Sequence, residues 1–290
     1  MKNILLLTDF SEASQKAIRF AQTLFEEIPA AFDLLHVYAV DPGVMYGLQM
    51  EEAEQNVTRR LHQFLAELPI QPVPEYQSYQ CLTAAGNPIR AVEAALEQKP
   101  YAYVVVGASG AGLMPVLGSV ATGLIRQVKT NVLVVPQHTI IRPIREVVLA
   151  TDYRSLKQMS CLQPLEELGQ LKPIRLTGLS IVDNQTPLLI GEDFEQYRQQ
   201  MAHRFDSVET GAYQVLDEEV EHGINAYLTT HSVDLLVTVP HRKTLLDTVY
   251  NRSLTRRLAY KPRVPLLALY DPEPVGQSPE NKEYRWDFPY

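Results

Sequence analysis

Short uninterrupted apolar runs alternate along this chain with stretches where apolar residues recur every three or four positions. Lys2 to Thr8 (KNILLLT), Phe32 to Val40 (FDLLHVYAV) and Val104 to Val106 are too short for helices. Their continuity is that of strands covered on both faces. Between the first two, Ala13, Ala17, Phe20, Ala21 and Leu24 share one helical face, and either Asp9 or Ser11 is placed to cap that helix. A second helix is predicted from about Glu51 to Leu68, after Pro42-Gly43. Gln71 to Cys81, with Pro72 and Pro74, reads as an edge-like strand, and Gly86-Asn87-Pro88 turns the chain into a helix over Ile89 to Gln98. Strands alternating with helices in this way predict a parallel sheet covered on both sides and joined by right-handed crossovers.

The richest stretch follows, from Val104 to Pro136. A buried strand leads into Gly107, Gly110 and Gly112. Gly118-Ser119 then opens a helix with Val120, Leu124 and Val128 on one face, and Val132 to Val135 makes the next strand. A glycine loop between strand and helix can bring bare N–H groups to an anion, to which the helix start adds unpaired donors. Ser119 either caps the helix or donates to a phosphate oxygen. The alternative is a tight turn whose glycines only supply positive φ. Neither a Gly-Lys-Ser/Thr ending nor G-x-G-x-x-G is present.

The series then begins again. Ile144 to Asp152 (IREVVLATD) repeats Asn3 to Asp9 (NILLLTD). Helices are expected around Ser155 to Gly169, Phe194 to Val208 and Glu218 to His231, and strands over Ile174 to Val182, Tyr213 to Leu216 and Val233 to Val239. Arg252 to Tyr270 aligns without gaps on Gly118 to Pro136, Ser253 falling on Ser119. The organisation is a duplication of about 140 residues. It predicts domains over 1–140 and 141–271 and a Pro/Glu/Tyr-rich tail over 272–290.

At 290 residues, with 46% hydrophobic and 21% charged, the composition is that of a globular protein of two domains. A net charge of −8 argues against nucleic-acid and anionic-membrane partners. No apolar run has the length of a membrane span, and the N-terminal apolar core is too short for a signal peptide. Cys81 and Cys161 give neither a disulfide framework nor zinc spacing, as expected of reduced thiols in a cytoplasmic protein.

Thr-Asp-Phe-Ser after the first strand, Leu-His-Val in the second, and Gly-x-x-Gly with a later Gly-Ser before Val-Leu-Val-Val-Pro resemble the universal stress protein family, in its tandem form. The resemblance implies two similar open α/β domains, each a Rossmann-like parallel sheet of five strands in the order 3-2-1-4-5, related by a pseudo-twofold axis. It also implies an adenine nucleotide, ATP or AMP, at the switch point of the first sheet. The matching positions are Leu7, Asp9 and Val37 for adenine and ribose, and Gly107, Gly110, Gly118, Ser119 and Val120 for phosphates. Asp9 would accept from ribose or adenine, or else only cap the helix. Ala111 to Leu117 is two residues shorter than the corresponding stretch of the family's ATP motif, and Pro115 stiffens it. In the second half Val239-Pro240-His241-Arg242-Lys243 replaces the glycines, so that site reads as lost. Its basic cluster is a solvated loop, an anion neutraliser, or a reach toward a ligand of the other domain.

The family further implies pairing of the two domains through their last strands, Val132 to Val135 and Leu266 to Leu269, which as bare apolar edges would aggregate. A homodimer and a protein partner are left open. Local spacing assembles no catalytic constellation, and His36 reads as a hydrogen-bonded core residue. His203, His222, His231 and His241 lie in the same half as Glu218, Glu219 and Glu221 but lack the His pairing of a zinc site. Met45, Tyr46, Leu48 and Met50 form either a lid or interface packing. The expected function is a nucleotide-responsive regulatory module. A nucleotide-free scaffold and a slow ATPase or phosphotransfer enzyme are the alternatives.

Overall fold

The computed structural model describes residues 1–39, 48–68, 73–109, 117–151, 160–182, 190–239 and 263–271. In the first half the elements run β1 (Lys2–Thr8), α1 (Glu12–Leu24), β2 (Ala30–Tyr38), α2 (Leu48–Glu67), β3 (Gln77–Ala85), α3 (Pro88–Gln98), β4 (Tyr103–Ala108), α4 (Leu117–Gln127) and β5 (Asn131–Pro136). In the second they run β6 (Glu146–Ala150), α5 (Gln163–Leu171), β7 (Arg175–Val182), α6 (Glu192–Arg204), β8 (Glu209–Leu216), α7 (Val220–Thr230), β9 (Leu235–Thr238) and β10 (Leu266–Ala268). The strands form one ten-stranded sheet in the order β3-β2-β1-β4-β5-β10-β9-β6-β7-β8. Each half is therefore an open five-stranded sheet in the order 3-2-1-4-5, and the second is laid out as the first turned about a pseudo-twofold axis.

Among the described residues eight of the nine strand pairings are parallel, and only β5 with β10 is antiparallel, Val132 facing Ala268, Leu133 facing Leu267 and Val134 facing Leu266. All six side chains are buried. The two apolar edges thus lie at the centre of the sheet, each covering the other's free N–H and C=O groups. Where strand bounds depart from the pattern reading, pairing explains the shift. β3 runs from Gln77 to Ala85, not Gln71 to Cys81, matching β2 residue for residue after the prolines. β8 starts at Glu209, four residues before the apolar run, because it pairs with all of β7. α6 stops at Arg204, not Val208, and the Val208 amide closes a turn onto the Phe205 carbonyl.

Strand side chains alternate between two cores. Ile4, Leu6, Phe32, Leu34, Val105 and Leu133 face α1 and α2, and the same layer continues through Leu267, Val237 and Leu149 to α5 and α6. Leu5, Leu7, Leu35, Val104, Val106 and Val134 face α3 and α4, continuing through Leu236 and Val148 to α7. The halves are also tied by ion pairs, Lys2 with Glu167 and the buried Lys172 with Glu26 at 2.8 Å.

Candidate functional site

The order 3-2-1-4-5 reverses direction between β1 and β4, and the crevice beyond their carboxyl ends is where such sheets take ligands. There β1 ends in a compact polar turn. The buried Thr8 hydroxyl accepts from the Phe10 amide at 3.0 Å and lies 3.0 Å from the Ser14 hydroxyl. Ser11, not Asp9, is the N-cap of α1, its Oγ accepting from the Ser14 amide at 3.2 Å. Asp9 stands two residues before the cap, exposed, with Oδ1 accepting from the Ser11 amide at 3.0 Å and the Ser11 hydroxyl at 2.5 Å. Desolvation pushes the Asp9 carboxyl up. The hydrogen bonds from Ser11 and Ser14 outweigh it and hold the group below the usual carboxylate range.

Phe10 takes φ +65°, a conformation costly for a bulky side chain. The fold holds it there by its ring. His36 lies 4.2 Å away centroid to centroid, Phe64 meets it edge-on at 5.3 Å, and the Arg60 guanidinium sits 4.3 Å from its centroid. His36 Nδ1 donates to the Thr8 carbonyl at 2.8 Å, so the neutral ring carries its proton on Nδ1. The second half repeats this brace with different chemistry, for the Ser180 hydroxyl donates to the Thr151 carbonyl at 2.9 Å. Phe10 and Arg60 were not evident as site residues in the sequence, since neither left-handed backbone nor a contact fifty positions away leaves a local pattern.

Leu7 and Val37 sit near the carboxyl ends of β1 and β2 and belong to the core layer that faces α3 and α4. Val120, half-buried, packs into that same layer from α4. Gly118 and Ser119 lie in the first turn of α4, placing backbone N–H groups of a helix start at this end of the sheet. These positions therefore share one side of the sheet. Gly107 does not. A Cβ built on it would lie 2.4 Å from the Ala13 carbonyl oxygen and 2.7 Å from the Ser14 amide nitrogen, on the α1 side. Its lack of a side chain is explained by α1 crossing β4. Gly110, Gly112 and Pro115 lie outside the described residues, as do Met45, Tyr46, Asp152, His241, Arg242, Lys243 and Ser253.

Among the described residues no cluster of three His, Cys, Asp or Glu side chains could hold a metal, and no helix is long and apolar enough to cross a membrane. His222 pairs with Asp217 at 2.5 Å on the surface. The Glu219 amide and His222 hold the Asp217 carboxyl below its usual range. Asp33, a buried carboxylate of the first half, accepts from Lys99 at 2.8 Å and from the Tyr101 hydroxyl at 2.5 Å toward the amino ends of the strands, far from the crevice. Burial and Asp33 push the Tyr101 hydroxyl strongly up.

Residues 1–136 match the family model described as Universal stress protein family. A universal stress protein from Archaeoglobus fulgidus DSM 4304 superposes with a TM-score of 0.70 at 16% identity, covering 92% of this chain and 97% of that one. A putative universal stress protein from Pseudomonas aeruginosa UCBPP-PA14 gives 0.57 at 12% identity, covering 93% of each chain. A universal stress protein solved in complex with cAMP covers 46% of this chain and 96% of its own, at 19% identity and a TM-score of 0.38. No curated protein matches. At these identities the solved structures speak to the fold, which two of them share over nearly the whole length. Residues 1–136 are a universal stress protein domain, and the sheet order sets a second five-stranded unit of the same layout after it.

Proposed function

We propose that the protein is a stress-response module whose N-terminal half binds an adenine nucleotide, ATP or AMP, at the crevice beyond β1 and β4. The observation that carries the reading is the grouping of Leu7, Val37 and Val120 on one side of the sheet. The exposed Asp9 lies at its rim, and the first turn of α4 opens beside it. Apolar side chains would hold the base, the Asp9 carboxylate would accept from ribose hydroxyls, and the Gly118-Ser119 amides would meet phosphate. Occupancy would bias loop order and so partner choice. In this reading 1–140 is the binding domain, 141–271 a domain without a glycine cradle, and 272–290 a tail. A cytoplasmic location and a protein partner belong to the same proposal.

One observation favours the second reading, a nucleotide-free scaffold. Gly107 already has a packing reason to be glycine, so its presence does not count toward a phosphate cradle. Calorimetric titration with ATP and AMP separates the two. Saturable heat that weakens about tenfold or more in Asp9→Ala supports the nucleotide module, that factor being about 1.4 kcal/mol of lost hydrogen bonding. No heat up to millimolar nucleotide leaves the scaffold.

A further inference from the structure

On the opposite side of the sheet from Leu7 and Val37, a groove of about 490 Å³ runs along the outer face of α1. Its floor includes Ser109, just past β4, and its far wall is Gln137 and His138, just past β5. The near wall carries Lys16 and Arg19, one turn apart on α1. The only carboxylate on this helix is Glu12, four residues before Lys16, the spacing and direction that favour an ion pair. That pair is not made. Glu12 Oε2 instead accepts from Gln137 Nε2 at 2.7 Å, which ties the connector between the halves to the start of α1. Among the described residues neither Lys16 nor Arg19 meets a carboxylate. Glu12 lines the groove as well, so the described lining carries two cations against one carboxylate, a net positive spot on a chain of net charge −8.

We infer that this groove binds the phosphate end of a small phosphorylated molecule, held by the Lys16 ammonium and the Arg19 guanidinium with the Ser109 hydroxyl as a neutral donor. An ammonium beside a planar guanidinium matches a dianionic phosphate in charge, and the guanidinium fork matches its oxygens in shape. The volume admits a ligand of nucleotide size. Such a ligand would rest against the connector. His138 Nε2 donates to the Arg263 carbonyl at 3.1 Å, so it would also touch the segment that leads into β10. The site is separate from the proposed nucleotide crevice and stands whether or not that crevice binds.

The test is calorimetric titration of the full-length protein with inorganic pyrophosphate, at two salt concentrations, for the wild type and the Lys16→Gln/Arg19→Gln double variant. The expected result is saturable binding by the wild type that weakens with salt and weakens at least tenfold in the double variant. Adenosine carries no phosphate for the groove to hold, so adenosine titrations unchanged between the two proteins would assign the loss to this groove and not to the crevice. Absence of pyrophosphate binding up to about 10 mM, or equal affinity in the two proteins, overturns the inference. Should circular dichroism show the double variant misfolded, Arg19→Gln alone decides. Arg19 is exposed, so the fold should tolerate its loss, and a change of less than threefold overturns the inference.

Discussion

Replacing Gly107 by alanine tests the claim that α1 and β4 meet backbone to backbone. The added Cβ would lie 2.4 Å from the Ala13 carbonyl oxygen, 2.5 Å from its carbonyl carbon and 2.7 Å from the Ser14 nitrogen. No side chain can rotate away, because every atom met belongs to the main chain of the first turn of α1. That turn is itself pinned by the Ser11 cap and the Thr8–Ser14 contact. Relief requires α1 to shift off β4 and β5, opening a layer in which Ala17, Phe20 and Ala21 are buried. Overpacking of this kind costs roughly 1–3 kcal/mol, and contact with backbone places the expectation at the upper end, about 3. Gly211→Ala is the internal control. Its Cβ would meet only Thr177 Oγ1 at 3.6 Å, an ordinary contact, in the edge strand β8. Alanine there should stabilise by about 0.5 kcal/mol, since glycine is unfavourable within a strand. Urea unfolding followed by circular dichroism at 222 nm measures both, the midpoint falling for one variant and holding or rising for the other. A Gly107→Ala midpoint within error of the wild type would refute the close approach. The same variant bears on function, for weakened nucleotide binding in it would report a displaced α1 and not a lost phosphate contact.

Two further outcomes are expected. Phe10→Gly should be more stable than Phe10→Ala by about 1 kcal/mol, the reverse of the usual order, because both lose the ring while only glycine relaxes φ +65°. Equal stabilities in urea would contradict the left-handed assignment. The Asp9 carboxyl titrates below its unfolded value, so its hydrogen bonds contribute fully above about pH 5 and are lost as pH falls through the folded value. The stability gap between the wild type and Asp9→Ala should therefore narrow as pH falls below about 5, and a gap that widens with acid would contradict the hydrogen bonds from Ser11.

Runs such as Ile4 to Leu7 and Val104 to Val106 announced the strands and their double-sided burial without help, because a strand covered on both faces has no position left for polar residues. The doubled series was equally legible, whereas the sheet order was implied only by the resemblance to the universal stress proteins. The apolar edges at Val132 to Val135 and Leu266 to Leu269 demanded partners, which they find in each other. Local spacing could not reach contacts between residues distant along the chain. Gly107 meets Ala13, Arg60 covers Phe10, and Gln137 draws Glu12 away from Lys16 only after the sheet has brought those segments together. The grouping of the candidate site was half visible for the same reason. Leu7, Asp9 and Val37 were marked by the family resemblance at the ends of the first two strands, whereas the side of the sheet each one faces was decided by the pleat and by which helix crossed over it. Sequence alone settled which residues must be buried, since apolar surface leaves water wherever it finds cover. Tertiary structure settled which neighbours do the covering, because that depends on the geometry of every crossover at once.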